Sequence, residues 1–257
     1  MVDSKVPIQG VVVDCHCHLD LYKDPTVIVR EAEAAAVEVV AVTNAPFVFE
    51  ACSDLAKGHP LIHPAIGLHP QLASQYSDQR HRLRDYLSMT RFVGEVGLDY
   101  TINGPADRET QRRVFADILK WCAEAGDKFL TVHSRRAAGD VIDMVGGGFP
   151  GTVVLHWYTG SVRDLERART FGFRFSVNPA MMESERGCSI VSRLDRQEVL
   201  TESDGPFVKA EQREAKPTDT MLVVDRLSAL WHCPKADAQA QILSNFRRAL
   251  SHLPKRL

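Results

Sequence analysis

Two histidines one residue apart, His16 and His18, close an apolar run that begins at Val11. On a strand successive side chains alternate between faces, so the two imidazoles point together while Cys15 and Cys17 point away, to pack under a helix. Such a pair is half of a metal site; two buried, hydrogen-bonded histidines leave the same trace. Four more ionisable residues stand at the ends of other β-branched runs: Glu95 in Gly94-Glu95-Val96-Gly97, then His133, His156 and Asp204. Four imidazoles, one carboxylate able to bridge and one terminal carboxylate suit two divalent ions, Zn, Mg or Mn. His16, His18 and Asp204 are expected to hold one ion and His133 and His156 the other, with Glu95 spanning ions about 3.5–4 Å apart. The fourth run has no lysine, so a carboxylated lysine cannot bridge and the glutamate must.

The elements that would gather these residues follow from periodicity. Short β-branched runs at 11–18, 37–43, 62–68, 91–97, 128–133, 152–157, 173–178 and 198–203 read as strands. Between them, helical patterns fit 26–36, 47–57, 78–89, 107–125, 136–145, 161–171 and 184–194, with two more at 218–230 and 236–251. Alternation of this kind builds a parallel sheet covered by helices, and eight strands predict an α/β fold, a closed (β/α)8 TIM barrel. The expected organisation is one domain over residues 1–257, with the barrel core at about 11–250 and Gly146–Gly151 an ordinary helix-to-strand connection. Every candidate ligand falls near a C-terminal strand end, and in a barrel those ends share one mouth.

Composition narrows the function classes. The 257 residues carry a net charge of −2, 44% hydrophobic and 25% charged residues, with a mean hydropathy of −0.17, an ordinary globular balance. With no globally basic surface, wrapping of long duplex is not expected, and nucleic-acid contact must come from a local cluster or a metal. Six cysteines without Cys-x-x-Cys spacing read as free thiols. The start, Met1 to Pro7, lacks the apolar core of a signal peptide, and no run nears the ~18 residues of a membrane span. These features predict a cytoplasmic protein without a membrane partner.

Five segments together, Asp14-Cys15-His16-Cys17-His18-Leu19-Asp20, Ile66-Gly67-Leu68-His69-Pro70, Gly94-Glu95-Val96-Gly97-Leu98-Asp99-Tyr100, Val132-His133-Ser134-Arg135 and Thr201-Glu202-Ser203-Asp204-Gly205-Pro206, resemble the TatD family of metal-dependent deoxyribonucleases in the amidohydrolase-like superfamily. The resemblance runs in order over about 11–250 and includes Gln111, Phe115 and Asn245-Phe246. It implies hydrolysis of DNA phosphodiester bonds, 3′ to 5′ on single-stranded ends, with Glu95 and Asp204 catalytic. It also implies that His69 donates to a substrate phosphate, rather than only orienting its loop. Arg135 would stabilise the phosphoryl charge, the alternative being a solvated arginine beside Arg136.

Glu202 shares a strand face with Asp204, so it either orients a ligand or makes a structural hydrogen bond. Tyr158 and Trp157 could stack on a terminal base or pack in the rim. The chain departs from the family at His156-Trp157-Tyr158-Thr159-Gly160, where His-Cys-Phe-Ser-Gly is usual, and in the loop Glu211 to Pro217, which lacks the usual Asn before Pro. Arg80, Arg82 and Arg84, and Arg163, Arg167 and Arg169, read as solvated helix faces. His59, His63, His81, His232 and His252 receive no role. Two other functions compete: amide or cyclic-ester hydrolysis by the same site, and a barrel subunit with protein partners in a nucleic-acid-processing or phage-defence assembly.

Overall fold

The computed structural model describes residues 10–101 and 104–251. The segment Met1 to Pro7 and His252 lie outside the described residues. Eight parallel strands appear where the periodicity puts them: β1 Val12–Cys17, β2 Val37–Val42, β3 Ile62–Ala65, β4 Phe92–Gly97, β5 Phe129–His133, β6 Thr152–His156, β7 Arg174–Val177 and β8 Val199–Thr201. They pair in sequence order as β1-β2-β3 and β4-β5-β6-β7-β8. β1, β2 and β4 are buried along their whole length, because the barrel interior covers one face and the helices the other.

The two ladders close into a barrel at two irregular seams. Between β8 and β1, Asp204 N donates to His16 O at 3.0 Å and His18 N to Gly205 O at 2.9 Å. Between β3 and β4 the link is a bridge from Ile66 to Val93. The third strand ends at Ala65 rather than at the expected 68 because the end of β2 reaches across it. Thr43 N donates to Gly94 O and Glu95 N to Thr43 O, both at 3.0 Å. Gly67 lies in that crossing, and a Cβ there would stand 2.2 Å from Thr43 O and 2.4 Å from Glu95 N. Only a residue without a side chain lets β2 grip the backbone of the proposed bridging glutamate.

Local signals set the helix ends. Asp24 accepts from Thr26 N and Val27 N to start Pro25–Ala34, and Ser161 caps Val162–Thr170 through Asp164 N. Gly146, at φ 68°, ends Ala138–Val145, so the glycine-rich segment is a helix stop followed at once by β6. Short helices at Ala73–Tyr76 and Pro179–Glu183 were not anticipated, nor was the antiparallel pair Lys209–Ala210 with Arg213–Glu214. Two residues of the family segments serve the fold: Gln111 Oε1 accepts from Asp99 N at 2.8 Å, and Asn245 Nδ2 donates to Arg196 O and Val199 O below β8. All six cysteines are free, and no helix among the described residues is long and apolar enough to cross a membrane.

Candidate active site

The C-terminal strand ends open on a cavity of about 540 Å³ lined by His69, Glu95, His133, His156 and Asp204 among others. Glu95, only 3% exposed, stands at its centre with each carboxylate oxygen facing one pair of imidazoles. Oε2 lies 3.4 Å from His18 Nε2 and 3.7 Å from His16 Nε2. Oε1 lies 2.5 Å from His133 Nδ1 and 2.8 Å from His156 Nε2. Asp204 Oδ1 approaches both His16 Nε2 and His18 Nε2 at 3.7 Å. Six residues from five strand ends thus meet around one carboxylate.

The donor set fits divalent cations. Within each pair the imidazole nitrogens face each other at 3.3 Å, an arrangement in which at most one of the two can carry a proton toward the other. The remaining ring atoms His18 Nδ1 and His156 Nδ1 are buried without a hydrogen-bond partner. Among the described residues, three groups have the spacing of cation ligands: His16, His18 and Glu95; His16, His156 and Asp204; and His69, Glu95 and His133. The third is decided by the state of His69. Its Nδ1 accepts from Gln71 N at 3.2 Å, so the proton sits on Nε2, the atom that faces Glu95 Oε1 at 3.5 Å. That nitrogen is a donor, not a ligand.

In the metal-free chain these groups shift one another strongly. Burial pushes Glu95 upward, but its interactions with the imidazoles of His69, His156 and His133 outweigh it and hold the carboxyl well below its usual range. Burial alone would lower His156, yet Glu95 and Glu202 raise it well above an ordinary imidazole; His133 is raised in the same way by Glu95 and Asp99. His16, buried beside His156, falls to about 3. Burial, reinforced by Glu202, Glu95 and Asp14, pushes Asp204 well up. A cation would reverse this last shift by favouring the ionised carboxylate.

Around these residues sits a layer that fixes them. His16 Nδ1 meets Thr131 Oγ1 at 2.5 Å, and His133 Nε2 meets Asp99 Oδ2 at 2.8 Å, the kind of partner that locks a ligand's ring and tautomer. Asp99 accepts as well from Gln71 Nε2 and Thr101 N. Neither Asp99 nor Thr131 received a role from sequence, although both carried a signal: Asp99 lies inside the glutamate segment, and Thr131 precedes His133 by two on one strand face. Glu202 is fully buried and accepts from Trp157 N and Asn178 Nδ2, each at 3.0 Å, and from Ser176 Oγ. One of its oxygens stands 3.7 Å from His156 Nδ1, so it holds the strand-six turn beside a candidate ligand.

Arg135 is exposed and lines the cavity wall. Tyr158 corrects an expectation. It is fully buried, donates to Ser161 O at 2.7 Å and packs edge-on against Phe175, so its ring cannot offer a face to a base. Trp157 lines the mouth instead, joined by Phe207, which sequence reading passed over and which lies edge-on to His18 at 5.0 Å. In the loop after β8, Arg213 pairs with Asp219 and Lys216 with Glu31. Of the helical arginines, Arg80 pairs with Asp117, Arg167 with Asp143 and Arg169 with Glu198. His59 and His63 bond Glu33 and Glu38, away from the site.

Comparison with known proteins agrees with this architecture. A putative deoxyribonuclease, tatdn3 of Danio rerio, is 29% identical over 212 residues, covering 76% of this chain and 79% of the relative. The deoxyribonuclease TATDN3 of Homo sapiens is 28% identical over 220 residues, 78% of this chain and 80% of that one. The crystal structure of the TatD homolog YjjV from Escherichia coli K12 superposes with a TM-score of 0.83 at 23% identity, over 96% of this chain and all of that one. The model of the TatD-related DNases matches residues 13–251. Nearly the whole described chain lies within that match, with a barrel of the same architecture and clusters able to hold divalent metal, and the chain belongs to the family of TatD-related DNases, metal-dependent hydrolases of the amidohydrolase-like superfamily.

Proposed function

We propose that this chain is a divalent-metal-dependent phosphodiesterase that removes nucleotides from the 3′ ends of single-stranded DNA. The observation that carries the reading is the division of Glu95, one oxygen toward His16 and His18 and the other toward His133 and His156, as a carboxylate shared by two cations requires. His16, His18 and Asp204 would hold one ion, His133 and His156 the other. Ions so held would supply a water activated at neutral pH and a Lewis-acid clamp on the phosphoryl oxygens.

The chain's own residues supply the rest. Asp204 orients the attacking water and takes its proton. His69 presents Nε2–H to a non-bridging phosphate oxygen, because Gln71 N occupies its other nitrogen. Arg135, exposed on the cavity wall, matches a phosphate with its planar fork and stabilises the charge that grows in the transition state. Asp99 and Thr131 keep two imidazoles from rotating away, and family membership supports DNA as the substrate.

The test is cleavage of DNA labelled at either end, single- or double-stranded, by purified protein supplied with Mg²⁺, Mn²⁺ or Zn²⁺. The expected result is stepwise loss from the 3′ end of single strands, abolished by chelator. Absence of DNA cleavage with every metal, in protein shown to bind them, overturns the phosphodiesterase reading; hydrolysis of a neutral amide or cyclic ester would then assign the site to that bond.

A further inference from the structure

The aromatic rings at the mouth are used by nothing described so far. Of the large apolar side chains exposed among the described residues, Phe207 is the one that lines the cavity, and it is 59% exposed. Its one ring contact is with His18, which leaves much of the ring open to solvent. Leaving a phenyl ring in water forgoes burial worth about 1.5–3 kcal/mol, which a flat apolar ligand entering the cavity would recover. Trp157 stands directly after His156. Its backbone is left-handed at φ 36°, a conformation that bulky residues avoid. The bond from Trp157 N to buried Glu202 holds it there, and Val208, Ala210 and Ala215 support the ring from behind. Tyr158, the next residue, takes the inward position and fills the core.

Both rings therefore line one mouth: Phe207 lies edge-on to His18, and Trp157, the residue after His156, packs against Val208, which follows Phe207 in the chain. We propose that Phe207 and Trp157 are base-stacking surfaces that hold the nucleobases next to the scissile phosphate, so that the site selects nucleotides freed from a duplex stack. The inference rests on the phosphodiesterase reading and deepens it. Arg135, His69 and the carboxylates address the phosphate, while the two rings address what the phosphate connects. Every base has a π-face, so such contacts bind without demanding a sequence, which matches an enzyme that acts on ends of any base.

The experiment uses metal-loaded protein and an oligonucleotide with 2-aminopurine as its 3′-terminal base and a phosphorothioate at the last linkage to slow hydrolysis. Stacking quenches the 2-aminopurine, so wild type should dim it and Phe207→Ala should not. Phe207→Leu keeps apolar bulk without a π-face and should also fail to quench. On cleavable single strands, Phe207→Ala should raise KM about 5- to 150-fold, the range for losing one base–aromatic contact. That penalty should vanish when the terminal two sites are abasic. Trp157→Leu is measured alongside, and exposed Phe207 carries the test if that variant does not fold. Equal quenching by wild type and Phe207→Ala, or an equal penalty on abasic and base-bearing ends, overturns the clamp. Wild type that quenches but never cleaves DNA overturns the phosphodiesterase reading and leaves the stacking role standing, whereas wild type that neither quenches nor cleaves overturns both.

Discussion

Replacing Glu95 by glutamine tests the centre of the site with a change of one atom. The side chain keeps its length and its buried place among four imidazoles, but one oxygen becomes an NH₂ group. If that group faces His133 and His156, the approaches at 2.5 and 2.8 Å lose their acceptor; if it faces His16 and His18, those at 3.7 and 3.4 Å do. Either way one pair of imidazoles loses its anionic partner, and the amide oxygen left for the other pair carries only a partial charge. Loss of one charge-stabilising group in a buried site costs about 2.7–4 kcal/mol, or 10²–10³ in kcat, and loss of a metal would add to that. The expected outcome is a fall in kcat/KM of at least about 10²-fold on single-stranded DNA, with metal content by elemental analysis dropping toward one ion. In metal-free protein the same change should lower the pKa of both His133 and His156, since Glu95 is the leading cause that lifts them above an ordinary imidazole; an NMR titration of the ring protons reads this directly. Activity surviving within about tenfold, ~1.4 kcal/mol of barrier, or imidazole titrations unmoved by the substitution, would refute the bridging role.

Three other perturbations follow from the same geometry. The double variant His16→Ala with His18→Ala should bind one divalent ion fewer by elemental analysis while circular dichroism stays native; unchanged metal content rejects this pair as ligands. Arg135→Ala should reduce DNA cleavage by about 10²-fold or more with full metal occupancy, and wild-type rates would remove it from the phosphate clamp. Gly67→Ala drives a Cβ against Thr43 O and Glu95 N, both backbone atoms that cannot rotate away. It should cost about 1–3 kcal/mol, or roughly 2–12 °C in Tm, and should reduce metal retention as Glu95 shifts; a Tm within 1 °C of wild type would show that the crossing is looser than described.

The sequence alone determined the strands, the barrel and the six residues that meet at its mouth. Apolar alternation is a local property, and the C-terminal end of a parallel strand has only one place to go once the barrel closes. His16, His18, Glu95, His133, His156 and Asp204 were legible because each ends such a run. What the sequence left open depended on contacts between segments far apart in the chain. That β2 passes beyond the end of β3 to bind the Glu95 backbone, and that Gly67 makes this passage, depends on three strands packing at one point. The proton on His69 was decided by Gln71 N, a backbone donor with no signature in residue types. The rings were decided by a single turn: period-two reasoning cannot tell which of Trp157 and Tyr158 faces the cavity once the strand ends at His156. A left-handed residue held by Glu202, from a strand more than forty residues away, sends Trp157 outward and Tyr158 into the core. Phe207 was passed over because it lies in a loop without periodicity, and only the closed barrel brings that loop against His18.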